Sequence, residues 1–409
     1  MRVLIVTSGS VGDAAPYTGL GARLHTAGHH VTVASHAPFE AAFAAAGLHF
    51  RAIPGDMREL LPQARSGTGP RSLARLQRIA RPLISELGSA LAAAAADAKP
   101  EVMLLSTVVA PLGYQVAEAH GIPWAGVFLQ PVAPTGDFGS VLLGGRSIGR
   151  WGNRAVTAAA ARFSQGLYAG PVQRLRSDLG LPHEPIRTLR TWQDGGRYPT
   201  FHGFSEAVVP RPSDWRPQLA VTGYWWPAPR PSWTPPPELS SFLAAGPPPV
   251  LIGFGSMTVG PRVAAAIRDA VHAAGVRAVV QAGWAGLDVE ASEEILPIGE
   301  APHEQLLPLM SAVVHHAGAG TTAAGLRAGI PAVPVPVLAD QPFWAARLHA
   351  LGAASRPIPL SRLTAPALAA ALREVTTNPH RRARAEAVAA RLAAEDGAAG
   401  ILAWLATLS

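Results

Sequence analysis

Residues 315–341 read HHAGAGTTAAGLRAGIPAVPVPVLADQ, and this stretch decides the fold of the second half of the chain. A β-branched run at residues 312–314 precedes it and predicts a buried strand that ends at the two histidines. Residues 321–328 have helix-forming composition, and the apolar run at residues 332–337 predicts a second strand. A strand, a tight turn, a helix and another strand predict one unit of a parallel α/β sheet.

The turn between the first of these strands and the helix consists of small residues. We expect Thr321 or Thr322 to cap the start of the helix and Gly329 to end it. Backbone N–H groups and the positive end of the helix then converge on one point, and such an arrangement binds phosphate. Gly318 and Gly320 let a bulky anion approach the backbone, because neither residue has a Cβ. The turn therefore predicts a phosphate site.

A carboxylate and an amide stand side by side after the second strand, at Asp340 and Gln341. Both side chains can form hydrogen bonds with hydroxyl groups. A phosphate cradle on one turn and a hydroxyl-binding pair on the next describe a site for a nucleotide sugar.

The pattern H-x-G-x-G-T at residues 316–321, followed by P-x-x-x-D-Q-P at residues 336–342, resembles the donor signature of family 1 glycosyltransferases. Among the branches of that family, the chain is similar to actinobacterial natural-product glycosyltransferases and sterol glucosyltransferases over nearly its whole length. The resemblance implies the GT-B fold, in which two Rossmann-like parallel-sheet domains face each other across a cleft and the last helix crosses back to the first domain. It also implies that four residues of the turn bind the donor diphosphate, namely His316, Gly318, Gly320 and Thr321.

The composition indicates a globular protein of about two domains, since the chain has 409 residues, of which 48% are hydrophobic and 15% charged. No apolar run approaches the ~20 residues that span a membrane, and the first residues do not form a signal peptide. The absence of cysteine excludes disulfides, a thiolate nucleophile and zinc–thiolate sites. We therefore expect a cytoplasmic protein.

The formal net charge of +7 raises the question of a nucleic-acid partner. The basic residues are almost all arginines, which are scattered along the chain with one cluster at residues 380–384. A cluster of that kind on a predicted helix is better explained as a solvated face than as a nucleic-acid site. We expect no nucleic-acid partner.

The N-terminal residues predict a second sheet of the same kind. Residues 2–6 form a continuous apolar run, residues 14–26 predict a helix, and residues 28–34 predict a turn and the next strand. The loop between them does not read GxGxxG, and Ser35 stands where a dinucleotide-binding domain has an acidic residue. The pattern predicts a Rossmann-like half without a dinucleotide site.

Asp13 lies in the loop that follows the first strand, where open α/β sheets bind their ligands. In the bacterial enzymes that the chain resembles, the pattern G-S-x-G-D-x-x-P at residues 9–16 carries the general base, which implies that role for Asp13. The alternative is a structural role, because Asp caps helices and Pro16 suits a first helical turn.

Two further stretches resemble parts of the family's donor site. Residues 249–253 predict a strand, and the turn after it, Gly255-Ser256, is similar to the segment that touches the pyrophosphate. Ala301 and His303 belong to the segment that the resemblance places beside the nucleobase.

The loops that follow strands of the first domain are expected to line an acceptor pocket. A strand at residues 123–129 leads into an irregular loop at residues 130–149, and residues 56–81 are a second candidate wall. The candidate acceptor-binding residues are Ser10, Phe128, Gln130 and Phe138.

The predicted domain organisation has four parts. Residues 1–226 form an acceptor-binding domain, and residues 227–248 form a linker whose first half is rich in proline. Residues 249–394 form a domain that binds the nucleotide sugar, and residues 395–409 form a helix that returns to the first domain.

Together with these residues, the resemblance implies inverting transfer of a hexose from a UDP- or dTDP-sugar to a hydroxyl of a lipophilic small molecule, such as a sterol, a macrocyclic antibiotic or a polyketide-type aglycone. Asp13 would deprotonate the acceptor, and Asp340 and Gln341 would hold sugar hydroxyls. No D-x-D cluster is present for a divalent cation, so we expect no metal and no cofactor beyond the nucleotide sugar. Plant members of the family have a ribose-binding glutamate where this chain has Ala324, which leaves the choice between UDP and dTDP open. The alternatives are a nucleotide-sugar epimerase of the same architecture and a non-catalytic nucleotide-sugar binder.

Overall fold

The structure is a computed structural model that describes residues 1–55, 70–141, 144–185, 198–229, 233–255, 257, 259–282, 287 and 289–408. Its first sheet has seven strands, which are Arg2–Val6 (β1), His30–His36 (β2), His49–Ile53 (β3), Val102–Leu105 (β4), Trp124–Phe128 (β5), Thr200–His202 (β6) and Leu219–Val221 (β7). Their order is β3-β2-β1-β4-β5-β6-β7, and every neighbouring pair is parallel. This is the strand order of a Rossmann sheet with one strand added.

The second sheet has five strands, which are Val250–Gly253 (β8), Ala278–Gln281 (β9), Ile295–Ile298 (β10), Ala312–His315 (β11) and Ala332–Pro334 (β12). Their order is β10-β9-β8-β11-β12, again with parallel neighbours throughout. The two sheets confirm the predicted pair of Rossmann-like α/β domains, here called the first and second domains.

Along the chain, helices connect most of the successive strands, because parallel strands need crossover connections. In the first domain they are Val11–Thr26 (α1), Glu40–Ala45 (α2), Pro70–Ala98 (α3), Ala110–Ala119 (α4) and Arg150–Asp178 (α5). The remaining helices are Pro237–Ala244 (α6), Pro261–Ala274 (α7), His303–Leu306 (α8), Ala319–Arg327 (α9), Gln341–Ala350 (α10), Ala365–Thr377 (α11), Pro379–Ala393 (α12) and Ala399–Ala406 (α13). Among the described residues, no helix is both long enough and apolar enough to cross a membrane.

Both faces of each sheet are covered, which explains why the strands are apolar without alternation. In β1, Val3 and Ile5 pack in the same buried cluster as α1, whereas Leu4 and Val6 pack with α3 and α4. In β8, Val250 and Ile252 pack with α7 and α11, and Leu251 faces α9 and α10. Because all strands of a sheet run in parallel, their carboxyl ends and the loops that follow them lie at the same edge of that sheet.

The two domains share a hydrophobic core. Phe204 and Val208 of the first domain belong to the same buried cluster as Phe343 and Trp344 of α10. The Arg347 guanidinium on α10 also donates to the backbone carbonyl of Val208 through Nε at 2.9 Å and through a terminal nitrogen at 2.7 Å. The packing and the hydrogen bonds fix α10 against the first domain.

The C-terminal helix crosses back to the first domain, as the resemblance implied. Ile401 and Leu405 of α13 are buried in a cluster with residues of β1, β2, β4 and β5. The Trp225 indole N–H donates to the carbonyl of Gly397 at 2.9 Å, and Arg23 and Asp396 form an ion pair at 2.9 Å. This return, together with the two facing sheets, confirms the predicted architecture.

The predicted linker at residues 227–248 contains a helix, α6, that begins after Pro236. Leu239 of this helix is buried in the cluster that the two domains share. The prediction that residues 227–248 divide the chain stays a prediction, as does the wall at residues 56–81, of which residues 56–69 lie outside the described part of the chain.

Candidate active site

The order of the strands defines where each domain can bind a ligand. The chain reverses direction along the first sheet between β1 and β4, and along the second sheet between β8 and β11. In open α/β sheets, ligands bind at such switch points, outside the carboxyl ends of the strands. After β1 the chain carries Asp13 in the first turn of α1, and the loops after β8 and β11 carry Gly255 and His316. The candidate residues of both ends of the sequence therefore lie at the two switch points.

The His316 ring lies between two glycines of the second switch point. A Cβ on Gly318 would lie 2.4 Å from His316 Nε2, and a Cβ on Gly255 would lie 3.1 Å from His316 Cε1. Gly255 also has φ +59°, a conformation that glycine adopts without strain. The two glycines make room for the imidazole, a reason for their presence that the sequence did not reveal. Ser256, the predicted partner of Gly255, lies outside the described residues.

Helix α9 starts earlier than predicted. Gly318 is its N-cap residue, and the Gly318 carbonyl accepts the N–H of Thr322 at 2.9 Å to close the first turn. The prediction that Thr321 or Thr322 caps the helix was wrong, because Ala317 adopts φ +60° and turns the chain into the helix two residues earlier. Gly320 and Thr321 consequently lie within the first turn of the helix, and Gly329 follows its end at φ +66°.

No side chain among the described residues caps the N-terminus of α9. The first N–H groups of a helix have no partner within the helix, and its dipole makes this end positive. Backbone N–H groups of that kind bind phosphate oxygens. The start of α9 is thus chemically suited to hold an anionic group beside His316.

The two adjacent histidines are both neutral near pH 7. Burial, with the nearby His316 and His303 as lesser causes, lowers the pKa of His315 to about 3. Burial and His303 lower the pKa of His316 to about 4. His315 Nδ1 accepts the N–H of Ala317 at 3.1 Å, so His315 supports the turn rather than facing a ligand. A neutral His316 can donate one hydrogen bond but contributes no positive charge.

The candidate nucleobase residues lie beside the end of β10. His303 is the first residue of α8, and its Nε2 lies 3.1 Å from the Gln281 side-chain oxygen at the end of β9. Ala301 is half-buried and packs against the hydrophobic cluster shared by the domains. Because β9 and β8 lie between β10 and β11 in the sheet, a ligand that contacts both His303 and His316 has to extend across these two strands.

Asp340 is held by a neighbour on the next helical turn. The Trp344 indole N–H donates to Asp340 Oδ2 at 2.8 Å. Burial raises the pKa of Asp340, and the negative charge of Asp13 raises it further, whereas the hydrogen bond from Trp344 lowers it. The effect of Asp13 on this pKa means that the carboxylates of the two domains lie within electrostatic range of each other.

Gln341 uses its side-chain oxygen within the protein. That oxygen accepts the N–H groups of Val337 at 2.8 Å and Leu338 at 3.1 Å, and so it holds the loop before α10. The side-chain nitrogen lies 3.7 Å from the sulfur of Met257. A contact between Gln341 and a sugar hydroxyl therefore has to use the amide N–H groups.

Asp13 was expected in the loop before a helix at residues 14–26, but α1 begins at Val11, so Asp13 is the third residue of α1 and lies in its first turn. Its Oδ2 accepts the Ser10 N–H at 2.9 Å and the Ser10 hydroxyl at 3.0 Å, and Gln130 Nε2 donates to its Oδ1 at 3.4 Å. A Cβ on Gly9 would lie 2.5 Å from Asp13 Oδ2, so glycine is needed there. The structural alternative, in which Asp13 itself caps a helix that starts near Pro16, was wrong in position, because Ser10 is the N-cap and α1 begins at Val11. The Asp13 carboxylate still stabilises the start of α1, as the partner of Ser10 in a capping box.

The four candidate acceptor residues separate into two groups. Ser10 and Gln130 contact the Asp13 carboxylate directly. Phe128 packs edge-on against His202 with ring centroids 5.9 Å apart, and Phe138 packs against Phe343 of α10 at 5.2 Å. Phe138 thus lies at the contact between the domains, while its place in an acceptor pocket stays a prediction.

The structure adds one residue that sequence reasoning missed. Trp344 contacts the Asp340 carboxylate and is buried at 1% exposure. Residues four positions apart lie on one face of a helix, so the spacing from Asp340 was the available signal. Among the described residues, no group of three or more His, Asp or Glu side chains comes together in a way that could hold a metal ion.

Comparisons with known proteins agree with this architecture. Residues 3–135 match the model of the glycosyltransferase family 28 N-terminal domain, and residues 288–408 match that of the erythromycin biosynthesis protein CIII-like C-terminal domain. The structure of SsfS6, a glycosyltransferase of Streptomyces sp. SF2575 solved with thymidine diphosphate, superposes with a TM-score of 0.64 over 99% of both chains at 24% identity. The fold is therefore that of the GT-B glycosyltransferases.

Two relatives match over almost the whole chain. O-mycaminosyltylonolide 6-deoxyallosyltransferase of Streptomyces fradiae is 37% identical over 97% of this chain and 95% of that protein. A sterol 3-beta-glucosyltransferase of Arabidopsis thaliana is 31% identical over 98% of this chain and 66% of that protein. The chain belongs to the glycosyltransferase family that contains these natural-product and sterol enzymes.

Proposed function

We propose that this glycosyltransferase transfers a hexose from a UDP- or dTDP-linked donor to a hydroxyl of a lipophilic small molecule, with inversion at the anomeric carbon and without a metal. The observation that carries the proposal is that α1 of the first domain, whose third residue is Asp13, contacts α9 of the second domain. The negative charge of Asp13 also contributes to the raised pKa of Asp340 in the second domain. A base at the first switch point and a sugar-binding carboxylate after β12, the strand next to β11, suit an acceptor and a donor held face to face.

Each step of the transfer has a group suited to it. Asp13 accepts the proton of the acceptor hydroxyl, and that oxygen forms a bond to the anomeric carbon while the bond to the diphosphate oxygen breaks. The departing negative charge is stabilised by the N–H groups at the start of α9 and by a hydrogen bond from His316. Asp340 holds a hydroxyl of the sugar. One displacement with the base opposite the leaving group inverts the anomeric carbon.

The names of the relatives support the substrate classes. One relative is named for transferring a 6-deoxyallosyl group and the other for transferring a glucosyl group to a sterol. The related fold of SsfS6 was solved with thymidine diphosphate. The proposal includes both UDP- and dTDP-linked donors, because Ala324 provides no carboxylate for the ribose hydroxyls. The cytoplasmic location expected from the sequence stays a prediction.

The test is a product assay with UDP-glucose and dTDP-glucose, each with and without a panel of sterols, macrolide aglycones and flavonoids. We expect mass spectrometry to detect a new glycoside and an equal amount of released nucleoside diphosphate. We expect NMR to show that the anomeric configuration of the product is opposite to that of the donor. Exhaustive EDTA treatment should leave the rate unchanged, since N–H groups and His316 hold the diphosphate.

Three results would contradict the proposal. Conversion of the donor sugar to an epimer without an acceptor would indicate the epimerase alternative. Donor binding without turnover across the panel would indicate a binding protein. Activity that disappears with EDTA and returns with magnesium or manganese would show that a metal takes part.

A further inference from the structure

The indole of Trp344 is joined to the Asp340 carboxylate. Trp344 lies one helical turn after Asp340, and its Nε1–H donates to Asp340 Oδ2 at 2.8 Å. Among the described residues, Trp344 is the one side chain that forms a hydrogen bond with this carboxylate. The second oxygen, Oδ1, is consequently the atom that Asp340 can offer to another group.

The indole itself has little freedom to move. Trp344 is 1% exposed, Phe343 packs edge-on against it with ring centroids 5.3 Å apart, and Phe204 of the first domain does so at 6.3 Å. The backbone N–H of Trp344 donates to the Asp340 carbonyl at 3.1 Å, so the two residues are also joined through the main chain. A side chain fixed by packing from both domains can hold its hydrogen-bond partner in one orientation.

The Asp340 carboxylate needs such a partner. It is half-buried, and both burial and the charge of Asp13 favour its protonated form, which raises its pKa. The indole N–H opposes that effect by stabilising the ionised form. An ionised and oriented carboxylate accepts a hydrogen bond from a hydroxyl more strongly than a protonated one.

We propose that Trp344 is a positioning residue, which binds one oxygen of Asp340 so that the other oxygen points at a hydroxyl of the donor sugar. This inference rests on the proposed function, because it assigns Trp344 a role through Asp340. The competing explanation is that Trp344 only fills the core between the domains, where it is one of several buried aromatic residues.

The test is Trp344→Phe, which keeps most of the ring volume and removes the N–H donor. We expect kcat/KM for UDP-glucose or dTDP-glucose, whichever the wild type uses, to fall by about 10- to 100-fold, the usual effect of losing a hydrogen bond to a charged group. The affinity for free UDP or dTDP should stay unchanged, because the diphosphate is bound by α9. Trp225→Phe is the matched control, since it removes a buried indole N–H that binds the Gly397 carbonyl instead.

A double-mutant cycle separates positioning from core packing. If Trp344 acts through Asp340, the variant that combines Trp344→Phe with Asp340→Ala should be within about threefold of Asp340→Ala alone. Two results would overturn this inference and leave the proposed function standing. One is that the two substitutions lower kcat/KM by factors that multiply in the double variant. The other is that Trp344→Phe lowers kcat/KM no more than Trp225→Phe does. Normal donor use by Asp340→Ala would contradict the sugar-binding role of Asp340 itself, and the inference with it.

A second variant serves if Trp344→Phe does not fold. Asp340→Glu keeps the negative charge but moves the carboxylate by one methylene away from the position that the indole fixes. We expect its kcat/KM to lie closer to that of Asp340→Ala than to that of the wild type. Wild-type efficiency in Asp340→Glu would show that charge alone suffices, which overturns the positioning role.

Discussion

Gly255 and Gly318 leave the space that the His316 ring occupies, and this close approach could not be read from the residue types alone. The sequence predicted that Gly318 admits an anion, and the resemblance implied that the turn at Gly255 touches the pyrophosphate. The structure shows that both glycines also make room for an imidazole. The sequence likewise could not reveal that the Gln341 oxygen is used by the loop at Val337 and Leu338. Such hydrogen bonds depend on where the chain turns, and residue identity does not fix that.

We predict that Gly318→Ala weakens binding of UDP and dTDP by about 10-fold or more, since the new methyl group would lie 2.4 Å from His316 Nε2 and must displace the ring. Isothermal titration calorimetry measures the affinity, and thermal unfolding reports whether the fold is kept. Gly170→Ala is the control, because a Cβ there meets no atom within 4 Å. Unchanged nucleotide affinity in Gly318→Ala would contradict the assignment of His316 to the diphosphate site.

At the scale of elements, the sequence predicted type and order well and boundaries less well. Continuous apolar runs identified β1, β8 and β11, because strands buried on both faces are apolar throughout. The start of α9 was misplaced by two residues, because a non-glycine residue, Ala317, adopts a left-handed conformation that composition does not reveal. Helix α13 was predicted from the family resemblance, and its packing on the first domain now gives it a physical basis.

The return of α13 should contribute measurable stability. We predict that Leu405→Ala lowers the free energy of unfolding by about 2–5 kcal/mol, the usual cost of truncating a fully buried leucine. Leu309→Ala is the matched control, since Leu309 is 40% exposed and its truncation should cost far less. Urea unfolding measures both values. Equal losses in the two variants would mean that α13 is not fixed on the first domain as described.

At the scale of the whole molecule, the way in which the two domains meet could not be predicted. In each half of the chain, the sequence around Asp13 or His316 indicated where that domain binds a ligand. No local pattern indicates that Phe138 packs on Phe343 or that Arg347 donates to the Val208 carbonyl. Contacts between distant segments depend on the shapes of both surfaces. They matter for function because they bring the carboxylate of Asp13 within electrostatic range of Asp340.

The most direct test of the account is the rate of glycoside formation by Asp13→Asn. Asparagine keeps an oxygen that can accept the Ser10 N–H, so α1 should keep its start while the base is lost. We predict that kcat falls by about 100- to 10,000-fold, as expected for removal of a general base, while the affinity for UDP or dTDP and the unfolding temperature stay near wild-type values. A folded Asp13→Asn variant that forms glycoside at close to the wild-type rate would contradict the central claim that Asp13 deprotonates the acceptor.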